Sequence, residues 1–78
     1  MLTAYRAVDR YIGSQIQIRR TLLGLSREQL GARVGVTASD MEQYEAGRAR
    51  VHPGILLDVA DALQTPVSYF FADTGPHQ

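Results

Sequence analysis

The sequence predicts a single small all-α domain made of five short helices. Its 78 residues, 45% of them hydrophobic, can form one core and leave no room for a second domain. Apolar residues recur at spacings of three and four in several segments, and no segment shows the alternation typical of a strand. Glycine and proline divide these segments into helical lengths. The dividing residues are Gly24, Gly35, Gly47, Pro53 and Pro66.

The first predicted helix runs from Ala7 to Leu23 and carries two apolar stripes. One stripe comprises Val8, Ile12, Ile16 and Leu23, and the stripe beside it comprises Tyr11, Ile18 and Leu22. Two adjacent stripes predict a helix that is buried over more than half of its circumference. Gly24 follows as a residue able to take the left-handed conformation that ends a helix.

A short second helix is predicted to begin after Ser26. Ser26 is a good N-cap residue, and Gln29, three positions later, completes the capping-box pattern. Leu30 and Val34 give this helix a buried edge. Gly35 then ends the helix, so it spans about two turns.

The third predicted helix follows at once. Val36 is an apolar anchor in the turn, and Thr37 caps a helix that runs to Ala46. Met41 and Tyr44 are its inward residues. If Val36 and Met41 are buried, they hold the second and third helices at a fixed angle.

Two prolines open the remaining helices. Pro53 suits the first turn of a fourth helix. The buried face of that helix comprises Leu56, Val59, Ala60 and Leu63. Pro66 opens a last short helix that ends in Tyr69, Phe70 and Phe71. We expect Phe70 in the core and another of these rings in a dimer interface.

Composition excludes several classes of protein. Cysteine is absent, which excludes disulfides and thiolate metal sites. No apolar run approaches the roughly 18 residues of a membrane span, and a secretory signal is missing, so we expect a soluble, cytoplasmic protein. The net charge is zero, but residues 1–33 carry +4 and residues 34–78 carry −4. This asymmetry permits one basic and one acidic face.

The motifs and their joint spacing point to a known family. Leu25 to Leu30 read L-S-x-x-x-L, residues 35–37 read G-V-T, and residues 44–47 read Y-E-x-G. In this register the chain resembles lambdoid phage repressors and the Cro-like, Xre-type regulators over roughly residues 12–71, although Gly31 replaces the small alanine usual in them. The resemblance implies a five-helix repressor-like domain over residues 11–72, with a helix-turn-helix formed by the second and third helices. Residues 1–10 would be an N-terminal extension and residues 73–78 a flexible tail.

The resemblance also implies which residues meet DNA. Its base-reading positions are Ala38, Ser39, Asp40 and Gln43. Its phosphate-contacting positions are Arg27, Thr37, Arg48 and Arg50. Simpler interpretations stay open, since Thr37 and Asp40 also suit a helix cap, Gln43 is an ordinary helix-surface residue, and the two loop arginines are ordinary surface charges.

One predicted contact is structural. Arg20 lies on the apolar face of the first helix, where an unpaired cation is costly. The resemblance implies that Glu45 of the Y-E-x-G motif pairs with it and joins the first helix to the third. The alternative is that Arg20 extends along its aliphatic stem to solvent.

The function implied is that of a bacterial or phage-encoded, sequence-specific DNA-binding transcriptional regulator. We expect a repressor-like homodimer on a two-fold symmetric operator in double-stranded DNA, with a second regulatory protein as one route of control. The alternative is a protein-interaction module on the same fold, antitoxin-like, antirepressor-binding or polymerase-binding, because the third helix carries three acids and no base. We predict no enzyme activity and no cofactor or metal, since His52 and His77 lack partners at ligand spacing and His52 suits a loop or cap.

Overall fold

The computed structural model describes residues 7–71, and all regular secondary structure there is helical. Its elements in chain order are α1 (Ala7–Leu22), α2 (Arg27–Val34), α3 (Ala38–Glu45), α4 (Pro53–Ala62) and a 3₁₀-helix, η1 (Val67–Phe71). The all-α prediction is confirmed over these residues. Within them no helix combines the length and the apolar character needed to cross a bilayer.

The fifth helix differs from the sequence prediction because it is a 3₁₀-helix, so the described residues contain four α-helices. The amide of Tyr69 donates to the carbonyl of Pro66, three residues back, at 3.0 Å. A segment of five residues is too short to gain much from the four-residue spacing of an α-helix. Of the predicted N-terminal extension, residues 7–10 form the start of α1. Residues 1–6 and the predicted tail, residues 73–78, lie outside the described part of the chain.

The core lies between the four α-helices and is closed by η1. α1 and α2 both pack against α3, α2 also packs against α4, and η1 packs against α1 and α4. The buried apolar residues are Ile12, Ile16, Leu30, Met41, Val51, Leu56, Val59, Ala60, Leu63 and Phe70. The predicted face of α4 and the core position of Phe70 are thereby confirmed. Burial of each large side chain contributes about 1.5–3 kcal/mol.

The prediction for the outer side of α1 is wrong. Ile18 is 48% exposed, Leu22 72% and Leu23 39%. The reason is that α3 and η1 cover only one side of α1, and no described element packs on the other. Leu23 lies in the turn that follows the helix, where the helical spacing no longer applies.

η1 is held to α1 by polar and aromatic contacts. The Tyr69 hydroxyl donates to Oε1 of Gln15 at 2.8 Å. The Tyr69 ring meets Phe70 edge to face, with centroids 5.4 Å apart, and the Arg19 guanidinium lies 6.0 Å from the centre of the Tyr69 ring. Arg19 Nε also donates to the Leu63 carbonyl at 3.3 Å, so one side chain of α1 joins the end of α4 to η1.

Candidate nucleic-acid interface

α2 and the turn after it have the local structure that the sequence predicts. Ser26 Oγ accepts from the Gln29 amide at 3.0 Å, and Gln29 Oε1 accepts from the Ser26 amide at 2.8 Å, which completes the capping box. Gly35 has φ of 84°, the left-handed region that favours glycine. The amides of Gly35 and Val36 both donate to the Gly31 carbonyl, at 2.8 and 2.9 Å. These bonds reverse the chain within three residues.

The angle between α2 and α3 is fixed by close packing. Met41 is fully buried, and Val36 is half-buried against the core, as expected for residues that brace this angle. A Cβ placed on Gly31 would lie 2.5 Å from the Val36 carbonyl oxygen. The turn therefore lies closer to α2 than an alanine at position 31 would allow.

α3 begins with a second capping box. Thr37 Oγ1 accepts from the Asp40 amide at 3.0 Å, and Asp40 Oδ2 accepts from the Thr37 amide at 3.4 Å. The cap interpretation offered for both residues is therefore realised. Asp40 stabilises the start of the helix with its carboxylate, and a carboxylate is favourable at a helix N-terminus.

The outward side of α3 is open to solvent. Ser39, Asp40 and Glu42 are exposed, and Ala38 and Gln43 are half-buried. A depression of about 430 Å³ lies between the beginnings of α2 and α3. Its lining residues are Arg20, Ser26, Arg27, Glu28, Ala38, Ser39 and Glu42. The fold thus brings predicted phosphate-contacting and base-reading residues together, while Asp40 and Gln43 lie outside this depression.

The ion pair expected between Arg20 and Glu45 is present and has two hydrogen bonds. Arg20 Nε donates to Glu45 Oε2 at 2.6 Å, and Arg20 Nη2 donates to Glu45 Oε1 at 3.1 Å. The Glu45 side chain is 2% exposed and that of Arg20 12%, so Arg20 does not extend into solvent. The pair fixes the end of α3 to α1.

A second arginine on Glu45 was not predicted. Arg27 Nε donates to Glu45 Oε1 at 2.9 Å, so two guanidinium groups share one buried carboxylate. The position was predicted only as a phosphate contact. No local signal in the sequence indicated this contact, because Arg27 and Glu45 are 18 positions apart.

Comparison with known sequences places most of the chain in one family. Residues 12–68 match the family described as a helix-turn-helix domain. A helix-turn-helix transcriptional regulator of Sinorhizobium medicae is 42% identical over 76 residues, covering 88% of this chain and 55% of that protein. A transcriptional regulator in the ATPase CF(0) region of Rhodospirillum rubrum is 42% identical over 66 residues, covering 85% of this chain and 61% of that protein. The chain thus spans little more than half the length of these relatives.

Solved structures agree with the sequence matches. The restriction-modification controller protein C.AhdI of Aeromonas hydrophila has a TM-score of 0.80 at 29% identity, covering 85% of this chain and all of that one. The P22 c2 repressor, in complex with a synthetic operator, has a TM-score of 0.72 at 30% identity, covering 76% of this chain and 89% of that one. The chain belongs to the Cro/C1 (Xre-type) helix-turn-helix family. The motifs found in its sequence are therefore those of this family.

In this helix-turn-helix protein the two loop arginines have different surroundings. Arg48 is exposed, its amide donates to the Gln43 carbonyl at 2.9 Å, and its side chain has no partner among residues 7–71. The Arg50 side chain is 63% exposed, and its Nε lies 3.8 Å from Oδ1 of Asp9, which is buried. A phosphate would therefore compete with Asp9 for Arg50. His52 caps α4, since its Nδ1 accepts from the amide of Gly54 at 3.1 Å.

Gly13 is a packing position behind α3 that the sequence analysis did not identify. A Cβ on Gly13 would overlap the carbonyl oxygen of Tyr44 and lie 2.7 Å from that of Glu45. The backbone of α1 therefore touches the last turn of α3 in this helix-turn-helix protein. A glycine within an apolar helical pattern was the available signal, because glycine costs about 1 kcal/mol relative to alanine in a helix.

Proposed function

We propose that the chain is a sequence-specific DNA-binding transcriptional regulator that acts as a homodimer on a two-fold symmetric operator. α2, the turn at residues 35–37 and α3 form the helix-turn-helix, with α3 in the major groove and the start of α2 on the phosphates. The observation that carries the proposal is the open outward side of α3, which is bordered by Arg27 near its start and by Arg48 after its end. The family match and the operator-bound P22 c2 repressor support the same function.

The three acidic residues of α3 oppose DNA binding less than their number suggests. Glu45 is buried and shared by two arginines, and Asp40 is engaged in the helix cap. Glu42 alone of the three is an exposed carboxylate with no partner among the described residues. The outward side of α3 thus presents two exposed carboxylates, Asp40 and Glu42, to the phosphates, a repulsion that flanking arginines can offset.

Each proposed DNA contact has a defined chemistry. Gln43 bonds adenine N6 and N7, Ser39 bonds a base edge, and Ala38 packs on a thymine methyl group. Asp40 is the least favourable base reader because its carboxylate already accepts from the backbone. Phosphate contacts come from Arg27, Thr37, Arg48 and Arg50.

The homodimer is proposed on an apolar groove between α1, α4 and η1. The groove measures about 410 Å³ and is lined mainly by apolar side chains: Val8, Ile12, Val51, Pro53, Leu56, Leu57, Val67 and Phe71, with Asp9 and Arg50. Leu57 is 56% exposed and Phe71 44%. The predicted exposed ring of the aromatic end is therefore Phe71.

A second copy of this chain is the occupant that fits the groove. The lining of this cavity includes two exposed apolar side chains, Leu57 and Phe71, so a two-fold axis can bury these side chains of each copy against the same cavity of its partner. Arg50 lies in the groove wall and also in the loop after α3. A dimer formed here would bring the loops that follow both α3 helices to the same interface, and paired half-sites then require the two α3 helices to lie about 34 Å apart.

DNA binding is tested by selecting operators from random duplexes and measuring affinity by fluorescence anisotropy over a range of salt concentrations. We expect Arg48→Ala to lower the salt slope by about 0.9, and Gln43→Ala to relax selectivity at one position. Arg33→Ala is the matched control, since Arg33 lines a separate depression with Asp58 and Asp61. A folded protein without any salt-dependent binding would contradict the proposal and favour the protein-interaction module.

The dimer is tested separately by sedimentation equilibrium. Leu57→Asp should shift the protein to monomer and weaken operator binding. Leu22→Asp is the control, because Leu22 is even more exposed, at 72%, but lies on the outer side of α1. If Leu57→Asp leaves the dimer intact, or Leu22→Asp disrupts it, the groove is not the interface.

A further inference from the structure

The buried carboxylate of Glu45 is paired with two guanidinium groups, so the positive charge beside it exceeds its own negative charge. It accepts two hydrogen bonds from Arg20 and one from Arg27, and its side chain is 2% exposed. Two cations and one anion leave this cluster with a net charge of +1. An excess charge near the surface is stabilised by an anion from solution or from a ligand.

The two arginines differ in how fully their donors are used. Arg20 directs Nε and Nη2 to Glu45 and Nη1 to the Leu25 carbonyl at 2.8 Å, and its side chain is 12% exposed. Arg27 uses only Nε, and its side chain is 38% exposed. Among the described residues, Nη1 and Nη2 of Arg27 have no partner. The excess charge is therefore accessible only through Arg27.

The surroundings of Arg27 suit a phosphate group. Arg27 lines the depression between α2 and α3 together with Ser39 and Ala38, which are proposed to face DNA. Glu28 and Glu42 line it too, but both are exposed and neither is paired with Arg27, so water screens their repulsion of a phosphate. A guanidinium held at Nε keeps its plane fixed and presents its two terminal nitrogens as a fork. Such a fork matches two oxygens of a phosphate, and holding it in place before binding reduces the entropy lost on contact.

We propose that Arg27 bridges Glu45 to a backbone phosphate of DNA, with Glu45 as a positioning residue that orients the fork. The inference rests on the proposed DNA-binding function and goes beyond it by making one phosphate contact depend on a buried carboxylate. The bridge requires the two terminal nitrogens of an arginine at this position. Lysine carries its charge on one atom and has no second edge to offer once it pairs with Glu45.

The test compares Arg27→Lys and Arg27→Ala with wild type for affinity to the selected operator across a salt series. Loss of a charge-assisted hydrogen bond predicts about tenfold weaker binding for Arg27→Lys at 0.1 M salt, although the charge is kept. Arg27→Ala should also lower the salt slope by about 0.9. Arg33→Lys, the matched exchange at the far end of α2, should bind within twofold of wild type, since exposed charges contribute little beyond their charge.

A double-mutant cycle tests the role of Glu45. Glu45→Gln should weaken operator binding, but adding it to Arg27→Lys should weaken binding little further, because both changes break the same bridge. Circular dichroism at the assay temperature confirms that each variant is folded. A Glu45 that acts only on the fold would instead give independent, multiplying losses.

The possible results distinguish a failure of the bridge from Glu45 through Arg27 to phosphate from a failure of the proposed DNA-binding function. If wild type binds its operator and Arg27→Lys binds it equally well, a positive charge at position 27 is sufficient. That result would contradict the proposed bridge but would leave the proposed DNA binding intact. If the Glu45→Gln and Arg27→Lys losses multiply, the positioning role of Glu45 is wrong. If folded wild type shows no salt-dependent binding, the proposed function itself fails.

Discussion

Replacing Glu45 with alanine should cause a large loss of stability. The change removes the acceptor for Nε and Nη2 of Arg20, whose side chain is 12% exposed and cannot readily turn to water. Removing one partner of a buried ion pair costs about 3–5 kcal/mol, because a charge is left without compensation. Arg27, at 38% exposure, can hydrate its freed Nε and should add little. We therefore expect Glu45→Ala to lower the free energy of unfolding by about 3 kcal/mol, near the lower end of that range.

The measurement is thermal and urea denaturation followed by far-UV circular dichroism. In a domain of this size, 1 kcal/mol shifts the Tm by about 4–8 °C, so Glu45→Ala should lower it by roughly 12–24 °C. Arg20→Met should cost less, since Glu45 keeps Arg27 as a partner. Glu42→Ala, an exposed site on the same helix, should stay within about 0.5 kcal/mol. A loss below about 1 kcal/mol for Glu45→Ala would refute the reasoning that a buried charge is left uncompensated.

The remaining predictions concern backbone geometry and capping, and urea denaturation measures all of them. Gly13→Ala should cost about 3 kcal/mol or more, because its Cβ would meet the rigid carbonyls of Tyr44 and Glu45. Gly35→Ala should lower the free energy of unfolding by only about 1–2 kcal/mol, since the space around its Cβ is open and only the positive φ is unfavourable. Equal losses of stability for Gly13→Ala and Gly35→Ala would argue against the close approach of α1 and α3. Thr37→Ala should lower the free energy of unfolding by about 1 kcal/mol, because the Asp40 amide loses the hydroxyl that caps it, and an unchanged midpoint would show that water replaces the hydroxyl.

Features governed by local chemistry were predictable from the sequence. The capping boxes at Ser26 and Thr37 each join residues three positions apart, so the chain neighbours alone determine them. The left-handed turn at Gly35 follows from the same short-range rules. The Arg20–Glu45 contact joins residues 25 positions apart, and the family resemblance rather than local chemistry indicated it.

Features that depend on which surfaces meet were not predictable. The spacing of Ile18 and Leu22 shows that a face of α1 is apolar, but it does not say whether another element covers it, and none of the described elements does. The approach of Gly13 to α3 depends on the angle between two helices. The family resemblance assigned Arg27 to phosphate alone, and its sequence position gives no measure of its distance from Glu45.

The contact between Tyr69 and Gln15 has a consequence for the newly made polypeptide. These two residues are 54 positions apart, and neighbouring Phe70 fills a fully buried place in the core. During translation, α1 to α4 emerge while that place is still vacant, so the nascent chain exposes apolar surface to chaperones and proteases. A chain truncated before residue 70 would therefore keep that apolar surface exposed and would be prone to aggregation and proteolysis.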